Sequence, residues 1–154
     1  MIIICGDGKL NDFIYDSIAN VCQNTYMTTP HTPLEGTTLF AFDPVPTVTQ
    51  LTSIDLVVGT GATVAEGATI TAHYTGALAA NGIIFQSSHD FGQPATFGLH
   101  QVIAGWTQGV PGMKIGGTRR LIIPAALAYG SRSPSKNIPP NSDLVFDIEL
   151  VAIK

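Results

Sequence analysis

Charge is what this sequence has least of. Only 12% of its 154 residues are Asp, Glu, Lys or Arg, about half the share usual for soluble domains. The few charges are also unevenly placed. Residues 1–52 carry five acids (Asp7, Asp12, Asp16, Glu35, Asp43) against the single base Lys9, whereas residues 53–154 carry six of each sign. A neutral stretch without a Lys/Arg stripe has nothing to follow a phosphate backbone, so nucleic acid is not expected as a partner. Cysteine is almost missing: Cys5 and Cys22 stand in the first 47 residues and none follows. Their spacing leaves a disulfide and two free thiols equally open, and with them the redox compartment. No run of 18 apolar residues occurs, so no membrane-spanning helix is expected. Met1 to Gly6 has no basic leader and makes a poor signal peptide; cytoplasm and bacterial cell envelope both stay open as locations. Hydrophobic residues are plentiful at 45%, enough to bury a core and to argue against wholesale disorder.

The chain divides by texture. Residues 1–47 read as an extension. Phe13, Ile14, Ile18, Val21 and Cys22 fall at helical spacing behind Asn11 or Asp12, which predicts one short amphipathic helix. Thr28 to Pro46 is rich in Thr and Pro, and proline biases its neighbours toward extended geometry, so this stretch reads as a linker. From Val48 onward the text becomes short alternating apolar runs divided by Gly, Pro and Asn. Strands are predicted at 54–58, 69–75, 83–87, 96–99, 118–123 and 143–153. Within the second, Ile70, Ala72 and Tyr74 share one face. In the last, Leu144, Phe146, Ile148 and Leu150 alternate with Val145, Asp147, Glu149 and Val151, as in a sheet with one buried face. Asn81-Gly82 is a hairpin turn signal. Val102, Ile103, Trp106 and Val110 predict one short helix, stopped by Pro111-Gly112. About five antiparallel strands with one helix on their apolar face define an α+β domain over 48–154.

Reactive chemistry is hard to find. Ser87, Ser88, His89 and Asp90 are consecutive, and nucleophilic triads gather their members from distant segments, so a polar bulge or turn is the better reading. His31, His73, His89 and His100 have no metal-ligand spacing, and His73 reads as a solvated group on a polar strand face. Gly59-Thr60-Gly61 lacks the third glycine of a nucleotide loop. Asp147 and Glu149 fit surface alternation. No cofactor or metal is expected. What stands out is aromatic: Tyr74, Phe85, Phe97, Trp106, Tyr129 and Phe146 come from six segments of a small domain.

Their order carries a resemblance. His73-Tyr74-Thr75-Gly76 precedes Asn81-Gly82 and Phe85 with Ser87-Ser88. Val102-Ile103-Ala104-Gly105-Trp106, Gly109-Val110 and Met113 follow. Gly116-Gly117-Thr118-Arg119-Arg120, Ile122-Ile123-Pro124, Ala128-Tyr129-Gly130, Ile138-Pro139-Pro140-Asn141 and Leu144-Val145-Phe146 complete the series. Across 48–154 this closely resembles the FKBP-type peptidyl-prolyl cis–trans isomerases; residues 1–47 lie outside the resemblance.

The resemblance implies a twisted half-barrel around a short helix, with an apolar pocket for a substrate proline. Trp106 would be the floor, and Tyr74, Phe85, Phe97 and Phe146 the walls, with Val102 and Ile103 at the edge. The Ile103 N–H would hold a substrate carbonyl, the Tyr129 hydroxyl would donate from the rim, and Ile138 would come from a flap. Gln86 stands where the family has Asp, Ala95 replaces an aromatic, and Phe91 stands where Arg is common. Pro134 and Asn137 also depart from the family's flap. These departures bear on macrolide ligands, a second class the resemblance implies. The expected activity is isomerisation of X–Pro bonds in protein substrates by a monomer, assisting folding. The alternative is a non-catalytic proline-binding or chaperone module using the same pocket, and a third reading makes the acidic extension a tether.

Overall fold

The computed structural model describes residues 34–154; the expected helix at 13–22 and both cysteines lie outside them. Six strands form one antiparallel sheet: β1 (Thr52–Val57), β2 (Thr69–Leu78), β3 (Ile84–Ser87), β4 (Ala95–Gly98), β5 (Thr118–Ile123) and β6 (Leu144–Ile153). The order is β1-β5-β6-β2-β3, with β4 also paired to β2. Strands β3 and β4 share one edge of β2: β4 pairs with Thr69–Ala72 and β3 with Thr75–Ala77. Five sheet positions are thus filled by six strands, because a 3₁₀ turn at Ser88–Phe91 interrupts that edge. The β2–β3 connection has Gly82 at φ +70° and the Asn81 side chain accepting from the Ile83 N–H at 2.9 Å. Only the glycine takes the left-handed conformation.

Alternation sorts the side chains. Leu144, Phe146, Ile148 and Leu150 of β6 are all buried, as are Ile70 and Ala72 of β2 and Leu121 and Ile123 of β5. Against this inner face lies α1 (Ala104–Gly109), the one α-helix among the described residues. Six residues are too few for an independent helix, so packing holds it. A Cβ on Gly105 would stand 2.5 Å from Ile123, and one on Gly109 would stand 2.7 Å from Leu121. The helix backbone therefore rests directly on β5. Arg119 fixes its C-terminal end, donating to the carbonyls of Gly109 (2.8 Å) and Pro111 (3.2 Å), where a cation suits the helix dipole. The same guanidinium pairs with Asp55 and holds that carboxyl below its ordinary range.

The outer face differs from expectation in three places. The stretch expected as a linker is packed from Leu34 onward: Leu39 is buried with Ala77, Ile84 and Val145, and Leu34 and Phe42 pack beside them. Backbone bonds tie it down: Gly36 N–H to Ile84 O, Ile84 N–H to Thr37 O and Leu39 N–H to Gly82 O, each 2.8 Å. Prolines cannot donate, but the residues between them do. Second, Asp147 is not simple surface alternation. Buried Arg120 grips it with Nε–Oδ1 and Nη2–Oδ2 bonds of 2.7 Å and also donates to the carbonyls of Phe40 and Ala41. Third, His73 is only partly exposed and is held: its Nδ1 lies 3.0 Å from Ser88 Oγ, and its ring stacks on His89 at 4.4 Å. The 3₁₀ turn brings His89 over the strand.

Candidate active site

Strands β2, β3, β4 and β6 and helix α1 each aim one aromatic ring at a common centre. Trp106, at 4% exposure, occupies that centre. Around it stand Phe97 at 5.3 Å, Phe146 at 5.4 Å and Tyr74 at 5.9 Å between ring centroids. Phe97 also meets Tyr74 at 5.6 Å, and Phe85 meets Phe146 at 5.7 Å. All five contacts are edge-to-face, with interplanar angles from 71° to 87°. Positive ring edges point at negative faces, an arrangement favoured by about 0.5–1.5 kcal/mol per pair.

The floor and the mouth differ in burial. Trp106, Phe85, Phe146 and Ile138 are buried, whereas Tyr74, Phe97, Val102, Ile103 and Tyr129 pack on them half-buried. The cluster therefore opens on the side of those five. Gly76 makes its tightest point possible: a Cβ there would stand 2.6 Å from both Phe85 and Phe146. Between β2 and β3 the register shifts so that Gln86 faces Gly76 and Phe85 is the additional residue. Such a bulge re-aims side chains. Gln86 is exposed and outside the buried cluster. Ile103 sits just ahead of α1, its carbonyl accepting from the N–H groups of Trp106 and Thr107. Among the described residues no acceptor meets the Ile103 N–H. A groove of about 460 Å³ adjoins the cluster on the Phe85 side, lined also by Glu35, Gly36, Ile83, Ile84 and Asn137.

The site is electrically quiet. None of the ten residues singled out from the sequence is charged at neutral pH; only Tyr74 and Tyr129 titrate. Burial raises the hydroxyl of each above the ordinary tyrosine value of 10.0, and for Tyr74 the nearby Tyr129 adds to the rise. Both remain protonated donors at physiological pH. The indole Nε1 of Trp106 is buried without a hydrogen-bond partner among the described residues.

Sequence reasoning missed the residues that hold the rings in place. At His73 and Tyr74 neither β3 nor β4 pairs with β2. Ser88 fills the gap: its Oγ accepts from the Tyr74 N–H at 2.9 Å, and the Ser87 and Ser88 hydroxyls lie 3.3 Å from the Tyr74 carbonyl. Thr107 Oγ1 donates to Leu99 O at 2.6 Å, pinning α1 to the chain before it. A polar Ser-Ser pair directly after a strand was the available signal for the first. Thr107 gave none.

An open antiparallel sheet wrapped on one short helix, with a neutral aromatic recess between them, defines an FKBP-like α+β domain. The sequence matches the family of FKBP-type peptidyl-prolyl cis-trans isomerases over residues 61–151. The chain belongs to that family. The peptidyl-prolyl cis-trans isomerase FPR2 of Saccharomyces cerevisiae is 50% identical over 90 residues, 57% of this chain and 67% of that protein. The FK506-binding protein of Neisseria meningitidis is 46% identical over 101 residues, 64% of this chain and 92% of that protein. The crystal structure of AtFKBP13 superposes with a TM-score of 0.62 at 44% identity, covering 68% of this chain and 93% of that one. The chain thus spans about two thirds of the yeast relative's length.

Proposed function

We propose that this protein catalyses cis–trans rotation about X–Pro bonds in polypeptide chains, and so assists their folding. The proline ring would lie on Trp106, with Tyr74, Phe85, Phe97 and Phe146 as walls and Val102, Ile138 and Tyr129 around the mouth. The Ile103 N–H and the Tyr129 hydroxyl would hold carbonyls flanking the bond, and Gln86 would offer a neutral hydrogen bond at the rim. Residues 48–154 form the catalytic domain in this proposal.

The chemistry asks little of ionisable groups. Rotation must overcome about 18–20 kcal/mol of amide resonance. Water sustains that resonance by hydrogen bonding to the imide carbonyl. A dry recess removes this support, and positioned donors on neighbouring groups leave the bond free to twist. Only interactions stronger in the twisted state accelerate the reaction. An acceleration of roughly 10⁴- to 10⁶-fold needs about 5–8 kcal/mol of such preference. The observation that carries the reading is the meeting of three rings at one buried tryptophan, with Phe85 packed behind Phe146, in a site whose two titratable groups are both kept neutral.

The test is an exchange measurement on a short X-Pro-Phe peptide. Folded protein should raise the rotation rate catalytically, and Phe146→Ala should remove most of the increase. Background rotation with correctly folded wild type would sink the enzyme reading and leave a binding module.

A further inference from the structure

Residues 131–140 form a flap that delivers Ile138 to the aromatic cluster. The flap is closed on itself. Ser133 Oγ lies within hydrogen-bond reach of the carbonyls of Ser135 (2.9 Å) and Ile138 (2.8 Å), which share its one proton, and the Ile138 N–H returns to Ser135 O at 3.2 Å. Residues 131–137 are exposed, while Ile138 is only 5% exposed. Such a loop has one buried anchor and little else to fix its angle to the sheet. One further bond reaches it from far away in the chain: Asn137 Nδ2 donates to Glu35 Oε1 at 2.6 Å.

Glu35 is itself held. The carboxylate of Asp90 accepts from the N–H of Leu34 (2.8 Å) and of Glu35 (3.1 Å). Immediately after, Gly36 N–H bonds to Ile84 O, which makes residues 34–39 a strap along the edge of β3. The Glu35 carboxylate is thus presented from two fixed backbone points. Asn137 is also one of the flap positions that depart from the family's pattern, and the strap carries its partner. Between strap, β3 and flap runs the groove of about 460 Å³ that reaches Phe85. Both partners of the Glu35–Asn137 bond line that groove.

We propose that Glu35 is a positioning residue for the flap, acting through Asn137 to hold Ile138 at the mouth of the proline site. The inference rests on the isomerase reading for its kinetic consequence, but its physical content is separate. A hydrogen bond to a preorganised side-chain oxygen orders an exposed loop before substrate arrives, and ordering done in advance is not charged to binding. The floor and walls of the site, Trp106 and the rings around it, remain in place without it. The effect therefore falls on KM and leaves kcat nearly unchanged.

Three variants of the full chain test this: Glu35→Ala, Glu35→Gln and Asn137→Ala. Hydrogen exchange at the Ile138 amide reads flap order whether or not the protein is active, and peptide isomerisation gives KM and kcat. Glu35→Ala should speed Ile138 exchange and raise KM roughly three- to tenfold, with kcat within about twofold. Glu35→Gln keeps an acceptor for Asn137 and should restore both readouts to within about twofold of wild type. The double variant Glu35→Ala/Asn137→Ala should be no worse than either single, because both remove one bond. Unchanged Ile138 exchange in Glu35→Ala overturns the proposal. So does a Glu35→Gln protein as impaired as Glu35→Ala, which would assign the effect to charge rather than to the bond. Wild-type protein without isomerase activity would remove the enzyme reading alone, and the exchange measurement would still decide the tie.

Discussion

The two faces of this sheet come from the same strands and solve opposite problems. The inner face of β2, β5 and β6 carries Ile70, Ala72, Leu121, Ile123, Phe146 and Ile148, which pack in one apolar cluster, with Arg119 bonded to the end of α1. The outer face carries Arg120, Asp147, His73 and Thr75, each with a specific polar partner. Apart from Arg119 at the end of α1, the ion pair and the directional bonds described for these strands stand on one side and the neutral recess on the other. The difference teaches that charge can fix the geometry from behind, away from a recess that holds none.

The largest break in this comparison should come from the inner face. Trp106→Ala removes the ring that Tyr74, Phe97 and Phe146 share, and should cost about 3–5 kcal/mol of stability together with activity. Denaturant unfolding and the peptide assay check it; an unchanged midpoint would remove Trp106 from the centre of the cluster.

Next comes the outer face. Arg120→Ala leaves a half-buried Asp147 and two carbonyls without their donor, for a loss of about 3 kcal/mol. Protein that remains folded should keep its kcat, since Arg120 stands behind the sheet. A fall in kcat at unchanged stability would show that the two faces are not independent.

Ser88→Ala sharpens the comparison because Ser88 belongs to the outer side yet holds Tyr74. Losing the acceptor for the part-buried Tyr74 N–H should cost about 1 kcal/mol. It should also lower kcat/KM several-fold, as Tyr74 shifts against Trp106. Stability loss with unchanged kinetics would make the bond purely structural.

The smallest expected effect is one of pH. Tyr74 and Tyr129 are raised above 10.0 in the folded protein. A raised folded value means that the neutral hydroxyls contribute stability in full below about 10, the unfolded value. That contribution is lost as pH climbs through the folded values. Activity should therefore show no tyrosine-linked loss up to about pH 10, and Tyr129→Phe should leave that alkaline limit to Tyr74 alone. A decline with a midpoint near 9 that vanishes in Tyr129→Phe would reverse the direction assigned to that hydroxyl.

What could be read from the sequence was whatever repeats locally. Strand β5 falls at 118–123 as predicted, and the others lie within one to three residues of expectation, because alternation registers burial residue by residue. The six aromatics were legible because each sits within a short recognisable word. The strap was not, because its bonds span great distances in sequence: Arg120 reaches Ala41 across 79 positions and Phe40 across 80. Nothing periodic in Thr28–Pro46 announces carbonyls that will meet a distant arginine. Ser88 was visible as polar but not as the stand-in for a missing strand, since that role exists only once β3 and β4 have both left His73 and Tyr74 unpaired.

The contact between α1 and β5 acts as a depth gauge. Because Gly105 and Gly109 put bare helix backbone against the Ile123 and Leu121 side chains, no helix side chain adds to the spacing between helix and sheet at these two points. The level at which Trp106 sits is set by hard contact, so even one added methyl under the helix would act as a shim and make the recess shallower. On the proposed function, a recess that grips something as small as a five-membered ring tolerates little error in that dimension, and two absent side chains remove one source of it.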